Sequence, residues 1–90
     1  MNARQILNES YKLIHNDRQE TYGDAKANHE RIAKLWSIIL DTDISAEQVA
    51  LCMVGVKLSR LSHDPSHLDS YIDGAAYFAI AGEIANHDTQ

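Results

Sequence analysis

The sequence contains little of what several classes of protein depend on. Cys52 is its only cysteine, so no disulfide can form within the chain, and we expect this thiol to be buried in the apolar run 49–54. Basic residues number 8 against 13 acidic ones, and the formal charge of −5 argues against a basic face for duplex DNA. No stretch reaches the ~20 apolar residues of a membrane-spanning helix, and the first residues lack the apolar region of a signal peptide. We therefore expect a cytoplasmic protein that binds neither a membrane nor duplex nucleic acid, although a few local bases suffice for a small anionic ligand.

Signals for β-strands are also missing, because the sequence has no alternating run of β-branched and polar residues. Helical periodicity occurs instead in four segments, at residues 3–17, 24–40, 46–62 and 67–85. The sequence thus predicts one all-α domain over residues 1–90, a small bundle of three or four helices. Since a chain of this length buries only ~60–65% of its unfolded surface, we expect it to form a homo-oligomer.

Several residues predict where these helices begin and which side chains they bury. Asp24 is the predicted N-cap of the second helix, Ser45 with Gln48 forms a capping box for the third, and Ser66 caps the fourth. The side chains predicted to face inward in the first two helices are Ile6, Leu7, Leu13, Ile14, Ile32, Leu35, Trp36 and Ile39. The fourth helix has a face of small residues, which would pack on the third helix or on the same helix of a second subunit.

Two stripes of ionisable side chains flank the turn at Pro65, each at helical spacing. The basic stripe, before the turn, consists of Lys57, Arg60 and His63. The second stripe, after the turn, consists of Asp69, Asp73 and Tyr77. The bases could hold phosphates and the two carboxylates could share Mg²⁺. Alternatively, the cations complement the helix dipole, and Asp73 pairs with Lys57 or Arg60.

Two further places carry candidate ligands. In the segment before the second helix, Tyr22 could stack on a base and Asp24 lies beside it, or the segment could be only a turn and an N-cap. Glu30 could add a carboxylate to the metal site, or could form an ion pair with Lys34 one turn away. The histidines near the turn have no cysteine partner, so the sequence gives little support for zinc.

Most of the chain resembles a small domain found in bacteriophages and prophages. The resemblance covers about residues 15–85 and is carried by the stretches 18–24, 28–36, 54–65 and 69–77. It implies a phage-type protein and leaves its activity open.

The spacing Asp69-x-x-x-Asp73-x-x-x-Tyr77 is also similar to the last acidic motif of the MazG-like all-α nucleoside triphosphate pyrophosphatases. That resemblance implies a helical bundle that assembles as dimers or tetramers. It implies Mg²⁺ held by clustered acids, with cleavage between the α- and β-phosphates. The pattern is incomplete here, because Glu30 has no second glutamate one turn away and Ser70 stands where the motif has its glutamate.

Two hypotheses of different class follow. The first is a phage-type nucleotide-binding protein in the cytoplasm of the host. It is either an Mg²⁺-dependent pyrophosphohydrolase or a non-catalytic sponge that sequesters a nucleotide immune signal. Its expected ligand-binding residues are Tyr22, Asp24, Lys57, Arg60, His63 and Tyr77, and its expected metal ligands are Glu30, Asp69 and Asp73. The alternative is a small interaction module that acts on a host protein and has no small-molecule ligand.

Overall fold

The described part of the chain is helical. The computed structural model describes residues 1–17 and 24–86, and within these ranges it contains no strand. Its four α-helices are α1 (Ala3–Lys12), α2 (Ala25–Leu40), α3 (Ala46–His63) and α4 (Leu68–Ala85), and α1 continues as a π-helical turn over Leu13–Asp17. The predicted all-α class is confirmed. Within the described ranges, none of the helices combines the length and the hydropathy of a membrane-spanning segment.

The starts of α2 and α3 follow their predicted caps. The carboxylate of Asp24 accepts a hydrogen bond from the Ala27 N–H at 3.3 Å. Ser45 and Gln48 form a complete capping box, in which each side chain accepts from the backbone N–H of the other residue, at 2.8 and 3.1 Å.

The prediction that Ser66 caps α4 is wrong. His67 is the N-cap residue of α4 and its side chain makes no capping bond. The reason is competition from Asp64, since the N–H and the hydroxyl of Ser66 both donate to Asp64 Oδ1, at 3.2 and 2.8 Å. Asp69 consequently stands at the second helical position of α4.

The core forms where α4 packs on its neighbours. Residues 64–67 connect α3 to α4, and these two helices form the most extensive helix pair of the described structure. Their shared core includes Ala50, Ile80 and Ala81. From α1, the buried hydroxyl of Ser10 donates to the Ile72 carbonyl of α4 at 2.8 Å. Thus α4 contacts each of the other helices and holds the bundle together.

Several predicted core positions are in fact exposed. Leu7, Leu35 and Ile39 lie on the surface, although the sequence predicted them to face inward. In α2, Leu35, Ile38 and Ile39 form a second apolar stripe beside the one that packs, and a single neighbouring helix cannot cover both. Cys52 is also exposed, contrary to prediction, because residues 49–56 of α3 are apolar on all sides of the helix and only one side faces the core.

Candidate functional site

The central feature of the candidate site is an ion pair between α3 and α4. Lys57 Nζ lies 3.2 Å from Asp73 Oδ2, and the two side chains are only 25% and 26% exposed. The next residue, Gly74, also faces Lys57, and a methyl group would fit there at ordinary contact distance. A Cβ added there would lie 3.7 Å from Lys57 Cβ. The sequence left open whether Asp73 pairs with Lys57 or with Arg60. In the structure its partner is Lys57.

Arg60 instead contacts the beginning of α4. Its Nη2 donates to His67 Nε2 at 3.3 Å, and the other ring nitrogen of His67 lies 2.8 Å from the buried Ser70 Oγ. Because a guanidinium can only donate, His67 Nε2 is the acceptor, and in the uncharged ring Nδ1 carries the proton toward Ser70. This chain of hydrogen bonds orients an exposed arginine at the same end of the hairpin as the ion pair.

The turn itself is held by Asp64 and Tyr71. The two hydrogen bonds from Ser66 lower the pKa of the Asp64 carboxyl below its usual value of 3.8, and the nearby positive charge of Arg60 acts in the same direction. The Tyr71 hydroxyl donates to the Pro65 carbonyl at 2.8 Å. His63, the last residue of α3, is exposed beside this turn.

The predicted metal ligands are spread over the molecule. Asp69 is exposed in the first turn of α4, and Asp73 is engaged by Lys57. Glu30 is exposed on α2 and pairs with Lys26, at 3.7 Å, and not with Lys34 as the sequence suggested. Among the described residues, no group of three or more histidine, cysteine and acidic side chains is placed to hold a metal ion. Within one chain these three carboxylates thus do not form a shared cage.

The remaining predicted residues fall in different surroundings. Tyr22 lies outside the described residues. Asp24 is exposed and its carboxylate is used as the N-cap of α2. Tyr77 is buried, and its ring lies edge-on to that of His29, with 6.1 Å between the ring centroids.

His29 is the residue whose significance the sequence does not reveal. It is 3% exposed, and its Nδ1 lies 2.8 Å from the Ala25 carbonyl oxygen. Its Nε2 is buried and has no hydrogen-bond partner in the described part of the structure. The residue lines a cavity of about 360 Å³ between α2, α3 and α4, which we call the His29 cavity. Its lining is Asn28, His29, Ile32, Trp36, Val49, Met53 and Tyr77. One feature of the sequence indicates that His29 is buried. Its helical spacing places it on the same face as the buried Ala33 and the half-buried Trp36.

A second concavity runs along α3 and α4 and is almost entirely apolar. We call it the α3–α4 groove; its volume is about 470 Å³. Its main lining residues are Val54, Leu58, Leu61, Tyr71, Ala75 and Phe78. Lys57 borders this groove, so the ion pair with Asp73 stands at its edge.

These features define a small all-helical protein with a charged helical hairpin, a cavity containing an unpaired imidazole nitrogen, and an apolar groove. The chain belongs to the DUF6378 family, a domain of unknown function, whose family model matches residues 5–85. It is 37% identical over 76 residues to the Gene 55 protein of Mycobacterium phage L5, covering 83% of this chain and 49% of that protein. It is 37% identical over 82 residues to the Gene 55 protein of Mycobacterium phage D29, covering 91% of this chain and 54% of that protein.

The chain spans about half the length of these curated relatives. No solved structure matched it. The expected resemblance to a phage-associated domain is confirmed.

Proposed function

We propose that this protein binds a nucleotide at the hairpin of α3 and α4. Lys57 and Arg60 would contact the phosphates, with His63 beside them, and Asp73 would contact a ribose hydroxyl or a bound Mg²⁺. The observation that carries the proposal is the Lys57–Asp73 pair, which is three-quarters buried one helical turn from the His29 cavity. On α3, Lys57 follows the cavity residue Met53 by four positions, and on α4 Asp73 precedes the cavity residue Tyr77 by four. Charged groups and an aromatic-lined cavity therefore adjoin, which is the combination that a nucleotide requires.

Binding without cleavage is the version that this geometry favours. A Mg²⁺-dependent pyrophosphohydrolase of the MazG-like type would need Glu30, Asp69 and Asp73 on one metal cluster, and the described residues do not form such a group within one chain. A second subunit could supply the missing carboxylates. The non-catalytic version is a sponge that sequesters a nucleotide signal, and the phage relatives make host defence the natural source of that signal. Tyr22, which lies outside the described residues, and Asp24 remain predicted ligand-binding residues.

The test is incubation of the purified protein with linear, cyclic and ADP-ribose-derived nucleotides, with and without Mg²⁺. The filtrate and the denatured protein are then analysed by mass spectrometry. A nucleotide recovered intact from the protein supports the sponge, whereas a monophosphate and pyrophosphate in the filtrate establish the hydrolase. If every nucleotide stays unchanged in the filtrate, nucleotide binding is refuted for that panel.

An arginine variant makes this test specific to the hairpin. Arg60→Gln removes an exposed cation whose described partner is His67, so we expect lost affinity and an almost unchanged melting temperature. Arg4→Gln, at an exposed position of α1, is the matched control and should bind like the unaltered protein. If the two variants bind with equal affinity, Arg60 does not contribute to nucleotide binding.

We also propose that a second copy of the chain covers the α3–α4 groove. A chain of 90 residues buries only ~60–65% of its unfolded surface, and self-association is a common way for so small a domain to bury more. A standard protein interface takes ~800 Å² from each partner. The groove supplies the contiguous apolar surface, including Leu58 and Phe78, that such an interface needs.

Sedimentation velocity across a concentration series tests this assembly. Leu58→Glu should shift the protein to monomers, because it places a charge in the groove. Leu7→Glu should have no effect, since Leu7 is similarly exposed, 63% against 61%, but lies on α1 away from the groove. A protein that is monomeric at every concentration would refute the proposal. It would leave the groove to a host protein, as the alternative hypothesis holds, or to the further sequence that the longer relatives contain.

A further inference from the structure

We infer that the His29 cavity binds a nucleobase, which donates an N–H to His29 Nε2 and stacks on Trp36. This inference rests on the proposed nucleotide binding and assigns the base to a particular cavity. The ligand class follows from the hydrogen-bond state of His29, the lining of the cavity and its position beside the Lys57–Asp73 pair.

The hydrogen bonding of His29 defines what the ligand must offer. A carbonyl oxygen can only accept, so the 2.8 Å contact with the Ala25 carbonyl requires a proton on Nδ1. In the uncharged ring Nε2 is then an acceptor. It is buried, and no described group donates to it. Buried polar atoms in folded proteins are almost always hydrogen-bonded, and an exception calls for an explanation such as a ligand. The missing partner is a donor.

The rest of the cavity is suited to a flat ring. Trp36 and Tyr77 provide aromatic surface, and Ile32, Val49 and Met53 provide apolar surface. Methionine adapts its shape and packs well against aromatic rings. The volume of about 360 Å³ lies at the small end of the ~300–1,000 Å³ typical of ligand sites. The Tyr77 ring lies at 66° to the His29 ring and helps to fix its orientation.

The position of the cavity connects it to the charged groups. Met53 and Lys57 are one turn apart on α3, and Tyr77 and Asp73 are one turn apart on α4, which corresponds to a separation of ~6 Å along each helix. A base in the cavity would therefore have its ribose and first phosphates at the level of Lys57 and Asp73. Neither an isolated apolar ligand nor inorganic phosphate would use both parts of this arrangement.

The test uses the only tryptophan of the chain as its reporter. ATP, GTP, CTP and UTP are titrated while Trp36 fluorescence is recorded, and equilibrium dialysis measures binding independently. We expect the nucleotide that binds to quench Trp36 and to shift the ¹⁵N resonance of His29 Nε2. The analogue methylated at the donor nitrogen should bind at least tenfold more weakly; suitable analogues are 3-methyl-UTP, N4,N4-dimethyl-CTP, N6,N6-dimethyl-ATP and, because guanine has donors at N1 and N2, both 1-methyl-GTP and N2,N2-dimethyl-GTP.

Two variants separate the base site from the phosphate site. His29→Phe keeps a ring of similar size but removes the acceptor, so it should weaken nucleotide binding at least tenfold and leave inorganic triphosphate binding unchanged. Arg60→Gln should weaken both. The ¹⁵N shift of His29 Nε2 is measured on the unaltered protein. It therefore tests the contact between the base and His29 even if His29→Phe fails to fold.

The outcomes distinguish this inference from the proposed function. If dialysis shows nucleotide binding while Trp36 fluorescence and the His29 ¹⁵N shift stay constant, the base lies elsewhere and the inference is overturned, but nucleotide binding stands. If nucleosides bind with the expected quenching and phosphates add no affinity, the base site stands and the proposed phosphate contacts fail. If nothing binds in dialysis and the wider nucleotide panel described above also stays in the filtrate, both fail.

Discussion

The Lys57–Asp73 ion pair allows a quantitative prediction about the hairpin. Exposed ion pairs contribute ~0.2–1 kcal/mol to stability, whereas removing one partner of a fully buried pair costs ~3–5 kcal/mol. Here the two side chains are 25% and 26% exposed and 3.2 Å apart, so the pair is intermediate in burial. We expect a coupling free energy of about 1–2 kcal/mol, above that of an exposed pair and below the cost of breaking a fully buried one.

A double-mutant cycle measures that coupling. Lys57→Met keeps most of the aliphatic chain and Asp73→Asn keeps the shape of the carboxylate, so each change removes mainly the charge. Urea unfolding of the unaltered protein, both single variants and the double variant is followed by circular dichroism at a fixed protein concentration, because assembly would make stability concentration-dependent. Each kcal/mol corresponds to a melting shift of ~4–8 °C for a domain of this size.

Two results would refute this reasoning. A coupling below about 0.3 kcal/mol would mean that the pair behaves as a solvated surface contact despite its burial. An increase in stability on Asp73→Asn alone would mean that Asp73 is retained at a cost to folding, as expected of a group kept for a ligand. The same cycle on Lys12 and Glu9, which form an exposed ion pair at 3.4 Å, provides the control and should give the lower value.

Three further predictions concern other parts of the fold. Ser10→Ala should lower the free energy of unfolding by about 1 kcal/mol, because it removes the 2.8 Å hydrogen bond from α1 to the Ile72 carbonyl; urea titration measures this, and an unchanged midpoint would contradict it. Gly82→Ala should raise stability by up to ~1 kcal/mol, since nothing lies within 4 Å of the added Cβ; a loss of stability would show that a second chain packs there. An NMR titration of the Asp64 carboxyl should give a midpoint below 3.8. Because the folded pKa is lowered, the stabilisation that its charge provides over Asp64→Asn should be present above pH ~4 and disappear as pH falls through that midpoint.

Local features of the fold could be predicted because they depend on neighbouring residues alone. The Ser45–Gln48 capping box and the Asp24 cap involve groups three residues apart, and both form as the sequence indicated. The start of α4 was missed where two local possibilities competed, and Asp64 took the hydrogen bonds of Ser66. Local rules do not rank such competitors, since the outcome depends on how the whole turn is held.

Burial was harder to predict because it depends on which faces acquire neighbours. Leu35 and Cys52 lie in runs that are apolar on more than one side, and periodicity cannot decide which side packs when several qualify. For the same reason His29 could not be recognised. Its spacing from Ala33 marks the packed face, but its unpaired Nε2 follows only from the placement of α3 and α4. The Lys57–Asp73 pair was among the alternatives because both residues lie within eight positions of the same turn, where a hairpin must bring them together.

The placement of Lys57 links the groove to the nucleotide site. It borders the α3–α4 groove and pairs with Asp73, which lies one turn from Tyr77 in the His29 cavity. A second chain in the groove and a nucleotide beside the pair would therefore both act on Lys57, and their binding free energies should be coupled. Coupling of this kind is reciprocal, so nucleotide should change the dimer dissociation constant by the same factor by which dimerisation changes nucleotide affinity. Sedimentation with and without the nucleotide, compared with its affinity for the monomeric Leu58→Glu variant, measures the two factors. Identical dimer constants in both conditions, together with an unchanged affinity of Leu58→Glu, would show that Lys57 serves the two surfaces independently.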